Sequence, residues 1–211
     1  MKRNIVELNR IACNRVADRY AKSGYSRITP IFEYFCDQLK PKCRILDVGS
    51  GTGLPFAKFL VDRGFTVIGI DISSRMIEIA QQNVPNTEFR ELSMTEMDFE
   101  AEFGGVIASY SMLLLDPPRF NDVAKRIAQS LRHHGTFYLS LNEPSEPDED
   151  LDTETIVKIM GETMYSRGYT EKEVCKIFAP LGLSVLNVQR SMRTSPEFGM
   201  EYMLELVFKK K

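Results

Sequence analysis

The sequence predicts an α/β fold built on a doubly wound, mostly parallel seven-stranded sheet with an antiparallel last strand and extra N-terminal helices. Three observations carry that prediction. Short apolar runs alternate with stretches of helical periodicity, the first run ends in a glycine-rich turn, and the last two runs are joined by a turn alone. Strands that alternate with helices must pair in parallel through crossover connections, and this covers both faces of the sheet. The 211 residues suffice for one domain with a sizeable core, and 43% hydrophobic and 27% charged residues describe a globular chain.

Ile5, Leu8, Ala12 and Val16 recur at helical spacing up to Tyr20, and Ile28, Ile31, Phe32, Phe35 and Leu39 repeat the pattern, so two helices precede the first strand. That strand is Arg44 to Val48. It runs into glycines and then into a helix through Leu54, Ala57, Leu60 and Val61 that stops at Gly64. The unit recurs with a strand from Thr66 to Ile70, ended by Asp71, and a helix capped by Ser73 or Ser74 that carries Met76, Ile77 and Ala80. Thr87 to Leu92, Gly105 to Tyr110 and Thr136 to Leu141 give strands three to five. Between the last two, Asp116-Pro117-Pro118 starts a helix with a capping carboxylate and a proline where no amide donor is needed. Thr170-Glu171-Lys172-Glu173 is a capping box for a helix that Gly182 ends. Leu183 to Arg190 and Met200 to Phe208 then form a hairpin turning at Ser195-Pro196.

Net charge is -2, so no overall positive field draws phosphate backbones or anionic lipid, and nucleic acid is not an expected partner. The apolar stretch Met112 to Leu115 is far shorter than the roughly 20 residues of a membrane span. Glu7 and Asn9-Arg10 interrupt the place where a signal peptide needs an apolar core. Cys13, Cys36, Cys43 and Cys175 are scattered, as reduced thiols in a cytoplasmic protein would be. No clustering of cysteine with histidine suggests a metal. His133 and His134 fall between a helix and the fifth strand, at the edge opposite a ligand site, where cations favour a helix terminus. The acidic stretch from Glu143 to Thr155 reads as a solvated segment, and Lys209 to Lys211 as a solubilising end.

Open parallel sheets bind ligands at the carboxyl ends of their strands, near the point where strand order reverses. Gly49, Gly51 and Gly53 sit there, letting the backbone turn tightly and approach a ligand while the next helix offers amide donors. The dinucleotide fingerprint is Gly-x-Gly-x-x-Gly, whereas the third glycine here comes one residue early. Asp47, just before the loop, suits a ligand with an ammonium group better than one with a pyrophosphate. A nicotinamide oxidoreductase is therefore disfavoured.

From Ile45 to Gly53 the chain resembles the class I S-adenosylmethionine-dependent methyltransferases, whose first motif is an acid followed by x-Gly-x-Gly-x-Gly, and the resemblance extends over nearly the whole chain. It implies a Rossmann-like methyltransferase fold that binds S-adenosylmethionine through Asp47, Gly49, Ser50, Gly51, Thr52 and Gly53. Asp71, about 20 residues past the loop's start, is placed to accept the ribose hydroxyls. The resemblance further sets Ile72 and Met76 beside the adenine and Ser93 and Met94 after the third strand, where Ser93 replaces the family's usual acid. Ser109 and Tyr110 fall at the active mouth, while Gly104 stands where an acid is usual. Tyr20 becomes a lid residue laid over the cofactor, and Tyr165 and Arg167 belong to an insert that meets the acceptor.

The expected organisation is one domain: an N-terminal helical lid (1–42), a cofactor-binding core (43–142), and an acceptor-side insert with the C-terminal hairpin (143–211). The expected activity is in-line methyl transfer to a small molecule, for which alignment and water exclusion suffice without a dedicated base. The loop alone leaves open a non-catalytic protein that senses S-adenosylmethionine. Methylation of a protein or RNA is a further alternative, and the acidic stretch makes RNA no easier.

Overall fold

A computed structural model describes residues 4–23, 27–144, 155–195, 197 and 199–211. Two helices, α1 (Ile5–Ser23) and α2 (Pro30–Asp37), lead into β1 (Arg44–Val48), α3 (Phe56–Asp62), β2 (Thr66–Asp71), α4 (Ser74–Asn83) and β3 (Glu88–Glu91). Then follow β4 (Phe103–Ser109), a short 3-10 turn (Met112–Leu114), α5 (Pro117–Ser130) and β5 (Leu131–Glu143). The chain closes with β6 (Ile156–Ile159), β7 (Glu162–Tyr165), α6 (Glu171–Phe178), β8 (Leu183–Ser195) and β9 (Gly199–Lys210).

Seven strands form one sheet in the order β3-β2-β1-β4-β5-β9-β8. β1, β2, β3, β4 and β5 pair in parallel, and β9 runs antiparallel between β5 and β8. The predicted doubly wound sheet with an antiparallel last strand is thus the observed one. Strand order reverses between β1 and β4, which opens the crevice at their carboxyl ends.

Alternation along the central strands builds two cores. Leu46, Ile68, Val106 and Leu139 face Phe120, Ile127 and Phe178 of α5 and α6. Ile45, Val67, Ile107 and Tyr138 face Phe32, Phe35, Phe56 and Ile77 of α2, α3 and α4. Side-chain caps set the helix starts: Ser73 Oγ accepts from Met76 N at 3.1 Å, Asp116 Oδ1 from Arg119 N at 3.2 Å, and Thr170 with Glu173 completes the capping box.

One feature differs from the sequence reading. The insert between β5 and α6 contains a separate antiparallel ribbon, β6-β7, which its four-residue strands were too short to announce. Of the acidic stretch, residues 145–154 lie outside the described residues, as does Pro196 of the expected hairpin turn. Glu143, at its start, ends β5 and binds Arg190 at 2.6 Å.

Helix α1 crosses the carboxyl edge, clamped at both ends of its path. Asn14 Oδ1 accepts from Ser73 Oγ at 2.8 Å and Arg75 N at 3.1 Å at the start of α4. The buried Asn9 donates to Leu114 O (2.9 Å) and Tyr165 O (3.1 Å) and accepts from Tyr165 N (2.8 Å). Deleting that amide strands three buried backbone groups. Asn9→Ala is expected to cost about 2–3 kcal/mol, a fall of about 5–10 °C in the thermal midpoint by calorimetry.

Candidate functional site

The loop after β1 is tied down by its own amides. Gly49 N and Ser50 N both donate to Ile70 O, at 2.8 and 2.9 Å, Gly51 N donates to Asp71 Oδ2 at 2.9 Å, and Gly53 N donates to Ser50 O at 3.0 Å. Gly49, Gly51 and Gly53 all have positive φ, the left-handed region. A Cβ on Gly49 would overlap Ser111, whose Oγ donates to Val48 O at 2.6 Å. These loop amides are therefore committed within the protein and make no phosphate cradle.

Asp71, at the end of β2, accepts from Gly51 N on one oxygen and from Ser73 N (2.8 Å) on the other. Burial raises its carboxyl, and the amide hydrogen bonds oppose that rise. Asp47 is 3% exposed, and its carboxyl is pushed up to about 8 by burial and by the neighbouring Asp71. Two acids near one turn favour the arrival of a cation.

A cavity of about 510 Å³ opens at this edge. Ten of the sequence-derived residues line it: Tyr20, Gly49, Gly51, Asp71, Ile72, Met76, Ser93, Met94, Ser109 and Tyr110. Tyr20 stands over the loop, its Cε1 3.6 Å from where a Cβ of Gly51 would be. Six do not reach the wall. Asp47, Ser50 and Thr52 are buried in or under the loop, and Gly53 packs towards Val84 and Phe89. Tyr165 and Arg167, expected to meet the acceptor, are a correction. Tyr165 is 2% exposed and joined through its backbone to Asn9, and Arg167 pairs with Glu173 at 2.8 Å and stacks over Tyr169. Their neighbours Met164, Ser166 and Gly168 line the cavity instead.

Sequence reasoning missed the cavity's far end. It is walled by Val6, Asn9, Cys13 and Val16 of α1, by Val157, Ile159 and Met164 of the ribbon, and by Arg193, Met200 and Glu201 of the hairpin. A signal existed in each. The α1 residues recur at spacings of three and four as a second stripe beside the apolar one, and Glu201 and Glu205 interrupt the apolar run of the last strand. Asn142 Nδ2 donates to Glu201 Oε1 at 3.0 Å, and Arg193 Nε to Glu201 Oε2 at 2.8 Å, so this acid is neutralised where it stands. Among the described residues, no three of His, Cys, Asp and Glu are placed to hold a metal ion, and no helix is long and apolar enough to cross a membrane. His133 and His134 are exposed at the amino end of β5, away from the cavity.

Residues 45–135 match a family model described as a methyltransferase domain. A carboxy-S-adenosyl-L-methionine synthase of Desulfotalea psychrophila is 29% identical over 150 residues, 65% of this chain and 59% of that protein. An aklanonic acid methyltransferase of Streptomyces sp. (strain C5) is 31% identical over 135 residues, 59% of this chain and 60% of that protein. The chain thus spans about three fifths of the length of these curated relatives. In fold it is similar to a SAM-dependent methyltransferase of Methanosarcina mazei, at a TM-score of 0.75 and 18% identity over 88% of this chain and 99% of that one. It is similar also to the 1,6-didemethyltoxoflavin-N1-methyltransferase of Burkholderia thailandensis, solved with its acceptor and S-adenosylhomocysteine, at 0.74 and 21% over 98% and 88%. The methyltransferase domain match over residues 45–135, the strand order with its antiparallel β9 and the acid-led glycine loop agree, and together they support the class I S-adenosylmethionine-dependent methyltransferase family, with S-adenosylmethionine as its cofactor.

Proposed function

We propose that the chain transfers a methyl group from S-adenosylmethionine to a small molecule inside a chamber closed by α1 and the β6-β7 ribbon. One observation carries this reading. The glycine loop and Asp71 open into the same cavity as a far end roofed by α1 and the ribbon, so donor and acceptor would share one space. The likeness to an aklanonic acid methyltransferase and to a 1,6-didemethyltoxoflavin methyltransferase supports a small acceptor, and the net charge of -2 gives a nucleic acid no overall positive field.

In this reading residues 1–42 act mainly as lid, 43–142 as the cofactor-binding core and 143–211 as the acceptor side of a single domain. Asp71 keeps a free lone pair on each oxygen for the ribose hydroxyls, Ile72 and Met76 flank the adenine, and Ser93 and Met94 close its edge. Asp47 acts through its charge on the cofactor's ammonium group, and Ser50, Thr52 and Gly53 hold the loop's shape. Tyr20 covers the ligand, and Ser109 and Tyr110 border the transfer. The sulfonium supplies the electrophilic methyl, so the protein's share is alignment and the exclusion of water.

Calorimetry should show micromolar binding of S-adenosylmethionine and its product, and absence of any binding would sink the reading. Binding without methyl transfer to any of a broad metabolite panel would favour a sensor.

Gly51→Ala tests the loop. Its Cβ meets only Tyr20, so the fold survives with a loss of about 1 kcal/mol from positive φ, but the methyl occupies ligand space. Cofactor affinity is expected to drop at least about tenfold, a change of about 1.4 kcal/mol. Gly49→Ala, by contrast, collides with Ser111 and should lower the thermal midpoint far more.

Asp47 gives a pH signature. With its carboxyl at about 8, it is mostly protonated at pH 7, so pairing with an ammonium expels a proton. Titration calorimetry in buffers of different ionisation enthalpy should report close to one proton released per cofactor at pH 7. Affinity should rise as pH climbs towards 8 and decline above it, where the ammonium itself deprotonates. The raised carboxyl also destabilises the apo fold progressively as pH rises from about 4 to about 8, because the unfolded chain ionises first. Asp47→Asn should therefore melt higher than wild type at pH 8, by on the order of 5 °C, while losing the cofactor. Equal midpoints at that pH would contradict the assignment.

A further inference from the structure

A second cavity, of about 220 Å³, lies between α2, β5 and the β8-β9 hairpin and shares Tyr110 and Arg193 with the main chamber. Glu205 of β9 forms part of its wall, although its residue is 2% exposed and it joins no ion pair among the described residues. One oxygen, Oε1, accepts from Tyr138 Oη at 2.5 Å and Thr29 Oγ1 at 2.6 Å. The other, Oε2, accepts no hydrogen bond among the described residues. Oε2 is not among the fully buried side-chain atoms without a partner, and with Glu205 on the cavity wall it is open to a donor from a ligand.

Tyr110 presents the complementary gap. Its Oη is buried and has no hydrogen-bond partner among the described residues. Burial raises the phenol, which keeps it a donor at neutral pH. Its backbone is held at φ +50° by Ser140, whose O and Oγ accept from Tyr110 N at 3.0 and 3.2 Å. A bulky residue kept in the left-handed region aims its side chain at a cost that packing alone does not repay.

Of the other charges on this wall, Arg193 is engaged with Glu201 and Arg27 is exposed at the rim. A carboxylate ligand would meet Glu205, and an ammonium has no acceptor to offer the hydroxyl proton of Tyr110.

From these two complementary gaps we infer that the second cavity is the polar subsite for the methyl acceptor, and that it takes a neutral group which donates to Glu205 Oε2 and accepts from Tyr110 Oη: a carboxamide, a lactam or an amino-substituted heterocycle. This rests on the methyl-transfer reading of the main chamber. Because Tyr110 walls both spaces, an acceptor anchored here can extend its reacting atom towards the cofactor end. Glu205 and Tyr110 thus set acceptor specificity. The amide oxygen of Glu205→Gln can still accept from Tyr138 and Thr29, but its NH2 replaces Oε2 and faces the ligand as a donor.

The test uses the full chain labelled at its methionine methyls and saturated with S-adenosylhomocysteine, titrated with benzamide, acetophenone and benzoate. Met203 lines the second cavity and Met164 the main chamber, so their resonances report separately. Benzamide is expected to shift Met203, with acetophenone and benzoate at least tenfold weaker. Glu205→Gln should weaken benzamide at least tenfold while binding S-adenosylhomocysteine as wild type does, and Tyr110→Phe should weaken benzamide at least tenfold when saturated with S-adenosylhomocysteine. The proposal is overturned if Met203 responds to none of the three, if acetophenone or benzoate matches benzamide, or if both variants bind benzamide unchanged. Should Glu205→Gln fail to fold, the wild-type series and Tyr110→Phe decide. Failure of wild type to bind S-adenosylhomocysteine would count against methyl transfer instead, and the benzamide series would still judge the cavity.

Discussion

Three amides hold the turn after β1 against the end of β2: Gly49 and Ser50 on Ile70 O, and Gly51 on Asp71. Because those donors are consumed, the loop meets a ligand with bare glycine backbone rather than with a nest of N–H groups. Because Asp71 is the anchor, it is fixed in direction before any ligand arrives. With Asp47 buried nearby, the turn is acidic where a nucleotide-phosphate site would be electropositive. Committed amides and two buried acids thus leave the turn without the positive field that a phosphate needs.

The roof over this edge is held by contacts of unequal strength. Arg15 and Arg19 reach Glu162, and Arg75 reaches Asp18, but these pairs are largely exposed and contribute little. Asn9 and Asn14 bond buried backbone and cap groups, where a lost partner leaves a desolvated donor or acceptor. The asparagines thus fix the register of α1 on the sheet, while the ion pairs at the ribbon's tip can exchange with water. Ligand access is most easily gained by loosening the ribbon near Glu162 rather than by lifting the whole helix.

The donor end was legible in the sequence and the acceptor end was not, for a physical reason. A close backbone approach demands glycine at fixed spacing, and a cation demands a nearby acid, so Asp47, Gly49, Gly51 and Asp71 announce themselves locally. Val6, Asn9 and Cys13 meet Val157, Met164 and Glu201 only after the chain has folded, and each has an unremarkable reading where it stands. Tyr165 and Arg167 show how such reasoning slips. Met164, Ser166 and Gly168 of the same segment line the cavity, while Tyr165 and Arg167 are buried against other groups. The ribbon's strands are too short to display their alternation, so that parity could not be read.

Charge placement within the chamber bears on catalysis in the proposed reaction. Transfer to a neutral acceptor moves positive charge from sulfur towards the acceptor, so a carboxylate fixed beside the sulfur would hold the ground state more tightly than the transition state and slow the step. The acids here stand elsewhere. Asp47 and Asp71 lie at the loop and the end of β2, and Glu201 is neutralised by Arg193 and Asn142. Ser109, Tyr110 and Ser111, at the carboxyl end of β4, are uncharged. Binding energy drawn from the ammonium and ribose, remote from the reacting atom, positions the methyl without resisting the shift of charge. That separation also explains why Tyr110 is the residue placed to border both cavities. It can orient an acceptor through a neutral hydrogen bond, and it leaves the field at the transferring methyl unchanged.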